Sequence, residues 1–128
     1  MNYSSYTFYR MVWEVETTDE YDAWFLEQNA DGQASIQMKV EVLKEYGPQL
    51  PRPHADTLKG SKLSNLKELR AQFAASVFRI AFIFDVERKA VLLIGGDKKG
   101  KNEKLFYRSL IKQAEEIYQQ YLDKKEER

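Results

Sequence analysis

From Met11 to Glu16 the chain alternates, with Met11, Trp13 and Val15 on one side and Val12, Glu14 and Glu16 on the other. A period of two predicts a strand with one wetter face. Thr17 and Glu20 have capping-box spacing, which predicts a helix start there. Tyr21, Trp24 and Phe25 share one helical side, and Asp31-Gly32 is expected to interrupt that helix. Ile36, Val40 and Leu43 then recur at helical spacing and predict a second helix. Gly47 ends it, and Pro48, Pro51 and Pro53 forbid a restart. The expected result is two antiparallel helices followed by a loop reaching Gly60.

The second half reads as β-structure and then helix. Residues 66–73, 77–85 and 91–94 are the three predicted strands, and Asp85-Val86-Glu87-Arg88-Lys89 has the length of a hairpin link. Gly95-Gly96-Asp97-Lys98-Lys99-Gly100 reads as a loop. From Glu103 onward, Leu110, Ala114, Ile117 and Tyr121 return at helical spacing. The order strand, helix, helix, three strands, helix gives an α+β domain, a small mainly antiparallel sheet with helices on one face. Residues 11–128 are expected to form that one domain, with 1–10 as an N-terminal extension that fits none of these patterns.

Within the strands, alternation sorts the side chains. Phe78, Ile80, Phe82 and Phe84 share the greasier face, so Arg79 points to the other side with Val77, Ala81 and Ile83. Leu69 and Phe73 read as core, which sends Glu68 and Arg70 outward beside Arg79 if the two strands pair.

Charge changes this picture more than composition does. The 128 residues are neutral overall, with 20 Lys+Arg against 20 Asp+Glu. Residues 1–50 hold 3 basic and 9 acidic side chains, whereas residues 52–112 hold 14 and 6. Lys59, Lys62, Lys67, Lys98, Lys99 and Lys101 flank the arginine strands in that basic half. Segregated positive charge with arginine set in a sheet suits a phosphate-binding surface. The same pattern also fits the solvated face of a half-buried sheet, and Arg70 with Glu68 also fits a structural ion pair. Arg79, flanked by apolar neighbours, points more strongly to a ligand. The acidic group Glu14, Glu16, Asp19, Glu20 and Asp22 suits the dipole of the first helix. A docking surface for a partner is the functional alternative.

Several chemistries are excluded. There are 0 cysteines, so no disulfide, thiolate nucleophile or cysteine-held zinc exists, which fits a cytoplasmic protein. The 1 histidine, His54, rules out a histidine pair and a multi-histidine metal site, so no metal and no cofactor are expected. Apolar runs such as residues 81–84 are too short to cross a bilayer, and no signal peptide is evident at the N-terminus.

Four blocks in order carry a resemblance. They are residues 52–61 (Arg-Pro-His-Ala-Asp-Thr-Leu-Lys-Gly-Ser), Lys67-Glu68-Leu69-Arg70, Phe78-Arg79-Ile80, and Leu92-Leu93-Ile94-Gly95-Gly96-Asp97-Lys98. Together they resemble the HigB branch of the RelE/ParE toxin superfamily, the phage-derived toxin-like proteins, from about Val12 to Leu122. The sequence departs from the family pattern at Lys99, where threonine is frequent, and at Ile111-Lys112, where proline is frequent.

The resemblance implies a sheet flanked by two N-terminal helices and one C-terminal helix. It implies the toxin of a type II toxin–antitoxin pair, cleaving mRNA on the ribosome, with a helix-turn-helix antitoxin as partner. It also assigns roles. Arg79 would bind the scissile phosphate, and Arg70 and Lys98 would add positive charge. Tyr107 would donate a proton or stack on a base, against a plain packing role beside Leu110. His54 is open between acid–base work, which its ordinary pKa suits, and holding the proline turn. Lys59, Lys62, Lys67, Lys99 and Lys101 would contact RNA or the ribosome. Two other functions remain open: a non-catalytic ParE-like toxin acting on DNA gyrase, and a basic RNA-binding module.

Overall fold

The computed structural model describes residues 12–127. The expected extension, residues 1–10, and Met11 at the predicted strand start lie outside them. The elements are β1 (Glu14–Thr17), α1 (Asp19–Leu26), α2 (Ala30–Tyr46), β2 (Ala55–Thr57), β3 (Leu66–Phe73), β4 (Ser76–Phe84), β5 (Lys89–Asp97) and α3 (Glu103–Glu126). The fold is α+β, and the sheet order is β1-β5-β4-β3-β2. Among the described residues only the β1–β5 pairing is parallel.

Local chemistry moves several boundaries from the predicted ones. Thr17 remains in β1, opposite Leu92, so it is not free to cap. Thr18 caps α1 instead: its hydroxyl accepts from Tyr21 N–H at 3.0 Å and donates to the Leu93 carbonyl at 2.7 Å. Asp31-Gly32 does not break a helix; it lies in the first turn of α2. Asn29 caps that helix by accepting from Gly32 N–H at 2.8 Å, and Asp31 suits the positive end of the dipole. The chain turns earlier, between Leu26 and Ala30. Residues Gly95-Gly96-Asp97 continue β5 instead of looping. The indole of Trp24 lies so flat on Gly95 that a Cβ there would overlap it. A short strand, β2, emerges from the proline loop and was not foreseen.

The sheet is covered on both faces, which corrects the expectation of helices on one. Tyr21, Ile36, Val40 and Leu43 of α1 and α2 pack on Leu69, Phe78, Ile80, Phe82 and Leu92. On the opposite face Phe106, Leu110, Ala114 and Ile117 of α3 pack on Leu66, Ala81, Ile83, Val91 and Leu93. The arginine side of β4 carries Ala81 and Ile83, both essentially fully buried. Burying apolar surface of that extent is worth about 25 cal/mol per Å², enough to draw an amphipathic helix across it. Phe73, expected in the core, stands 43% exposed at the end of β3, beside the Ala74 turn.

Candidate active site

The α3 face of β3 and β4 changes character along its length. Leu66 pairs with Ile83, Glu68 with Ala81, and Arg70 with Arg79. The apolar end lies under α3. The charged end meets the first turns of that helix, where Tyr107 follows the buried Phe106.

The turn before α3 is built by side chains. Asp97 accepts from Val77 N–H at 2.9 Å and Lys99 N–H at 3.0 Å, and Asn102 caps α3 by accepting from Leu105 N–H at 3.0 Å. Lys98 N–H donates to the Val77 carbonyl at 2.8 Å, which fixes Lys98 beside the start of β4.

Glu68 is the hub. Its side chain is 4% exposed and both its oxygens accept hydrogen bonds. Arg70 donates to Oε2 through Nε at 3.2 Å and Nη2 at 3.0 Å. The Tyr107 hydroxyl donates to Oε1 at 2.7 Å. Arg79 Nε donates to the Tyr107 oxygen at 3.1 Å and lies 3.5 Å from Glu68 Oε1, while its Nη1 donates to the Phe78 carbonyl at 3.0 Å. Around this centre, Asp56 bridges Arg52 at 2.8 Å and Arg70 at 3.5 Å. Lys98 reaches Glu103 at 2.8 Å and lies 5.5 Å from the Tyr107 ring centroid.

The environment sets the protonation states. Burial, reinforced by the hydrogen bond to Glu68, raises the Tyr107 phenol above its ordinary 10.0, so it stays protonated at neutral pH. Burial opposes the charge on Arg70, but the hydrogen bond and field of Glu68 prevail and raise its pKa. Burial also works against the Asp56 carboxylate, and Thr57 N–H, Arg52 and Arg70 together outweigh it and lower its pKa. Lys98 holds the Glu103 carboxyl below the usual range.

These groups line an open cleft of about 580 Å³, together with Thr57, Leu58, Lys59 and Ile111. Its walls carry five cations (Arg52, Lys59, Arg70, Arg79, Lys98) against three carboxylates (Asp56, Glu68, Glu103). Of the candidate catalytic residues, Arg70, Arg79, Lys98 and Tyr107 come together. His54 does not join them: its Nδ1 lies 2.6 Å from Lys39 Nζ on α2, and its backbone carbonyl accepts from Arg70 N–H at 2.8 Å.

Of the candidate RNA contacts only Lys59 lines this cleft. By alternation Lys67 shares the opposite face with Leu69 and Ala71. Lys62 lies beside Lys112 and Glu115. Lys99 projects from the turn, and Lys101 lies 5.7 Å from the Phe106 ring. Sequence reasoning missed Arg52, Asp56 and Glu103, and it saw Glu68 only as a partner of Arg70. The available signal was a carboxylate two residues from an apolar core position, Leu66, on the same strand face.

A model of the phage-derived, Gp49-like protein family matches residues 23–119. The candidate toxin HigB3 of Mycobacterium tuberculosis is 39% identical over 103 residues, covering 80% of this chain and 88% of that protein. The candidate toxin HigB2 of the same organism is 35% identical over 105 residues, 81% of this chain, which spans 52% of that longer protein. An arginine-to-alanine double mutant of the Escherichia coli toxin RelE in the free state superimposes with a TM-score of 0.56 at 13% identity, covering 79% of this chain and 95% of that one. The toxin–antitoxin complex RelBE2 of M. tuberculosis gives 0.51 at 13%, covering 68% and 92%. The two solved structures show the shared fold. With the family model spanning most of its length and HigB3 aligned over 88% of its own, this chain belongs to the phage-derived, Gp49-like, HigB-type family.

Proposed function

We propose that this protein is the toxin of a type II toxin–antitoxin pair and cuts mRNA on the ribosome without a metal or cofactor. The observation that carries the reading is the pairing of Arg70 and Arg79 on adjacent strands, directly opposite each other, with Glu68 bound to Arg70 directly and the Tyr107 phenol bridging Arg79 and Glu68. Two guanidinium groups on one face suit a phosphate whose charge grows in the pentavalent state. Tyr107, kept protonated, suits protonation of the leaving 5′-oxygen. Lys98 and Lys59 extend the positive rim along which the message lies.

No imidazole lines the cleft, so the rate must come from placement and charge. Orientation contributes up to about 7–11 kcal/mol, and a preorganised charged donor about 3–4 kcal/mol. Together they fall within the roughly 8–23 kcal/mol by which enzymes lower barriers, so a ribosome that holds the message in line makes a strong base unnecessary. In this reading a helix-turn-helix antitoxin is the partner and the cytoplasm is the site of action. Among the described residues no helix is long and apolar enough to cross a membrane.

Pulse-induced expression tests the reading. Rapid loss of intact mRNA within the translated region is expected. Intact mRNA with a DNA-damage response would replace the nuclease by a gyrase poison, and intact mRNA with undisturbed growth would leave a binding module.

A further inference from the structure

Glu68 is an unusual occupant of its position. Two of its neighbours on the same sheet face, Leu66 and Ala81, are fully buried and apolar, and the other two, Arg70 and Asp56, are charged and partly exposed. A buried ion pair is often no more stabilising than well-packed apolar side chains of similar volume, so stability alone is a weak reason for a carboxylate there. It is also poorly placed to act as a base, because three donor groups already occupy its two oxygens.

A carboxylate and a phosphate present the same paired oxygens to a guanidinium. We infer that Glu68 is a positioning residue and an internal stand-in for phosphate. It holds Arg70, Arg79 and Tyr107 in their working arrangement and, by offsetting one of the two arginine charges, weakens the cleft's hold on RNA that is not yet in line. The inference rests on the nuclease reading. The charge count gives its sign: with Glu68 the cleft has five cations against three carboxylates, and without it five against two.

The test pairs binding with turnover. A short single-stranded RNA with 2′-deoxy substitution at the scissile site serves as an uncleavable ligand, measured without ribosomes. Glu68→Gln is expected to bind it about tenfold more tightly at low salt, since one opposing charge has been removed at contact distance. On ribosomes programmed with a message, the same variant is expected to show a lower kcat together with a lower KM. A merely structural role would lower the folded fraction and leave KM unchanged.

Unchanged or weaker RNA binding by folded Glu68→Gln overturns the inference. A second measurement covers a variant that fails to fold. In wild-type protein, titration with the uncleavable RNA is expected to shift the Glu68 side-chain carboxyl carbon and the Arg70 and Arg79 Nε–H signals in NMR together. A carboxyl signal that stays fixed while the arginine signals move overturns it equally. Tighter binding by Glu68→Gln alongside a wild type that never cuts would sink the nuclease reading alone. Wild-type cleavage without the binding gain would sink only the role given to Glu68.

Discussion

Replacing Arg79 by alanine separates catalysis from folding because a melt and a cleavage rate read the two losses independently. The side chain is 12% exposed and makes a hydrogen bond to the Tyr107 oxygen at 3.1 Å and another to the Phe78 carbonyl at 3.0 Å. A hydrogen bond from a charged donor is worth about 1.5–3 kcal/mol net. Glu68 keeps Arg70 at 3.0 Å and Tyr107 at 2.7 Å, so its charge is not left unpaired. The two Arg79 bonds put the expected destabilisation at about 3–6 kcal/mol, read as a fall in Tm of roughly 4 °C for each kcal/mol in a domain of this size. Total stability is about 5–15 kcal/mol, so the folded fraction is read from the melt and rates are compared per folded molecule. Per folded molecule, cleavage should fall by about 10²–10³ in kcat, as when one donor to a developing oxyanion is removed. The assay is primer extension on ribosomes programmed with a defined message, with circular dichroism melts of the same preparations. A folded Arg79→Ala protein that cuts as fast as wild type would refute the placement of the reacting phosphate.

Other substitutions probe the remaining parts. Tyr107→Phe removes the proton donor but keeps the ring against Phe106; a kcat loss of about 10²–10⁴ is expected on programmed ribosomes if the phenol acts as general acid. His54→Ala is expected to leave the cleavage rate near wild type, because its imidazole faces Lys39 and not the cleft; a large loss in the same assay would return histidine to the chemistry. Gly95→Ala drives a methyl group into the Trp24 indole and is expected to cost about 1–3 kcal/mol in a urea melt. Alkaline pH should unfold the protein progressively. The Tyr107 phenol is raised above 10.0 and Tyr121 is raised to about 12, each by burial first and then by an acceptor carboxylate. Their contributions are complete below pH 10 and are lost as pH rises through the raised values, a slope that Tyr107→Phe should flatten in pH-dependent melts.

The order of every element except the short strand β2 was legible because apolar spacing reports burial directly. Phe78, Ile80 and Phe82 could only face a core, and Leu110, Ala114 and Ile117 could only form one helical stripe. Alternation places Arg70 beside Arg79 on condition that the two strands pair, and the observed register meets that condition. Other features depended on contacts distant in sequence. Thr18 displaces Thr17 as cap because β5 takes Thr17 into the sheet. Gly95 and Gly96 look like loop residues until Trp24 and Phe106 are seen packed against them. That α3 covers the arginine face is not legible in the strand pattern, because Ala81 and Ile83 share that face with a charge. The roles of the carboxylates Asp56 and Glu103 are not legible in the charge count of a whole segment, which cannot say which charges face one another.

The parallel pairing of β1 with β5 has a bearing on how the molecule comes into being. Glu14 must wait for Lys89, and Glu16 then receives a hydrogen bond from Tyr121 at 2.8 Å, across 105 positions of the chain. Contacts between such distant segments close late, since the long intervening loop must be ordered first. Arg79 and Tyr107 are brought together by the same final docking of the C-terminal helix. A polypeptide still emerging during its own synthesis therefore has the guanidinium groups in place on the sheet but lacks the cluster around Tyr107 until the helix Glu103–Glu126 has docked.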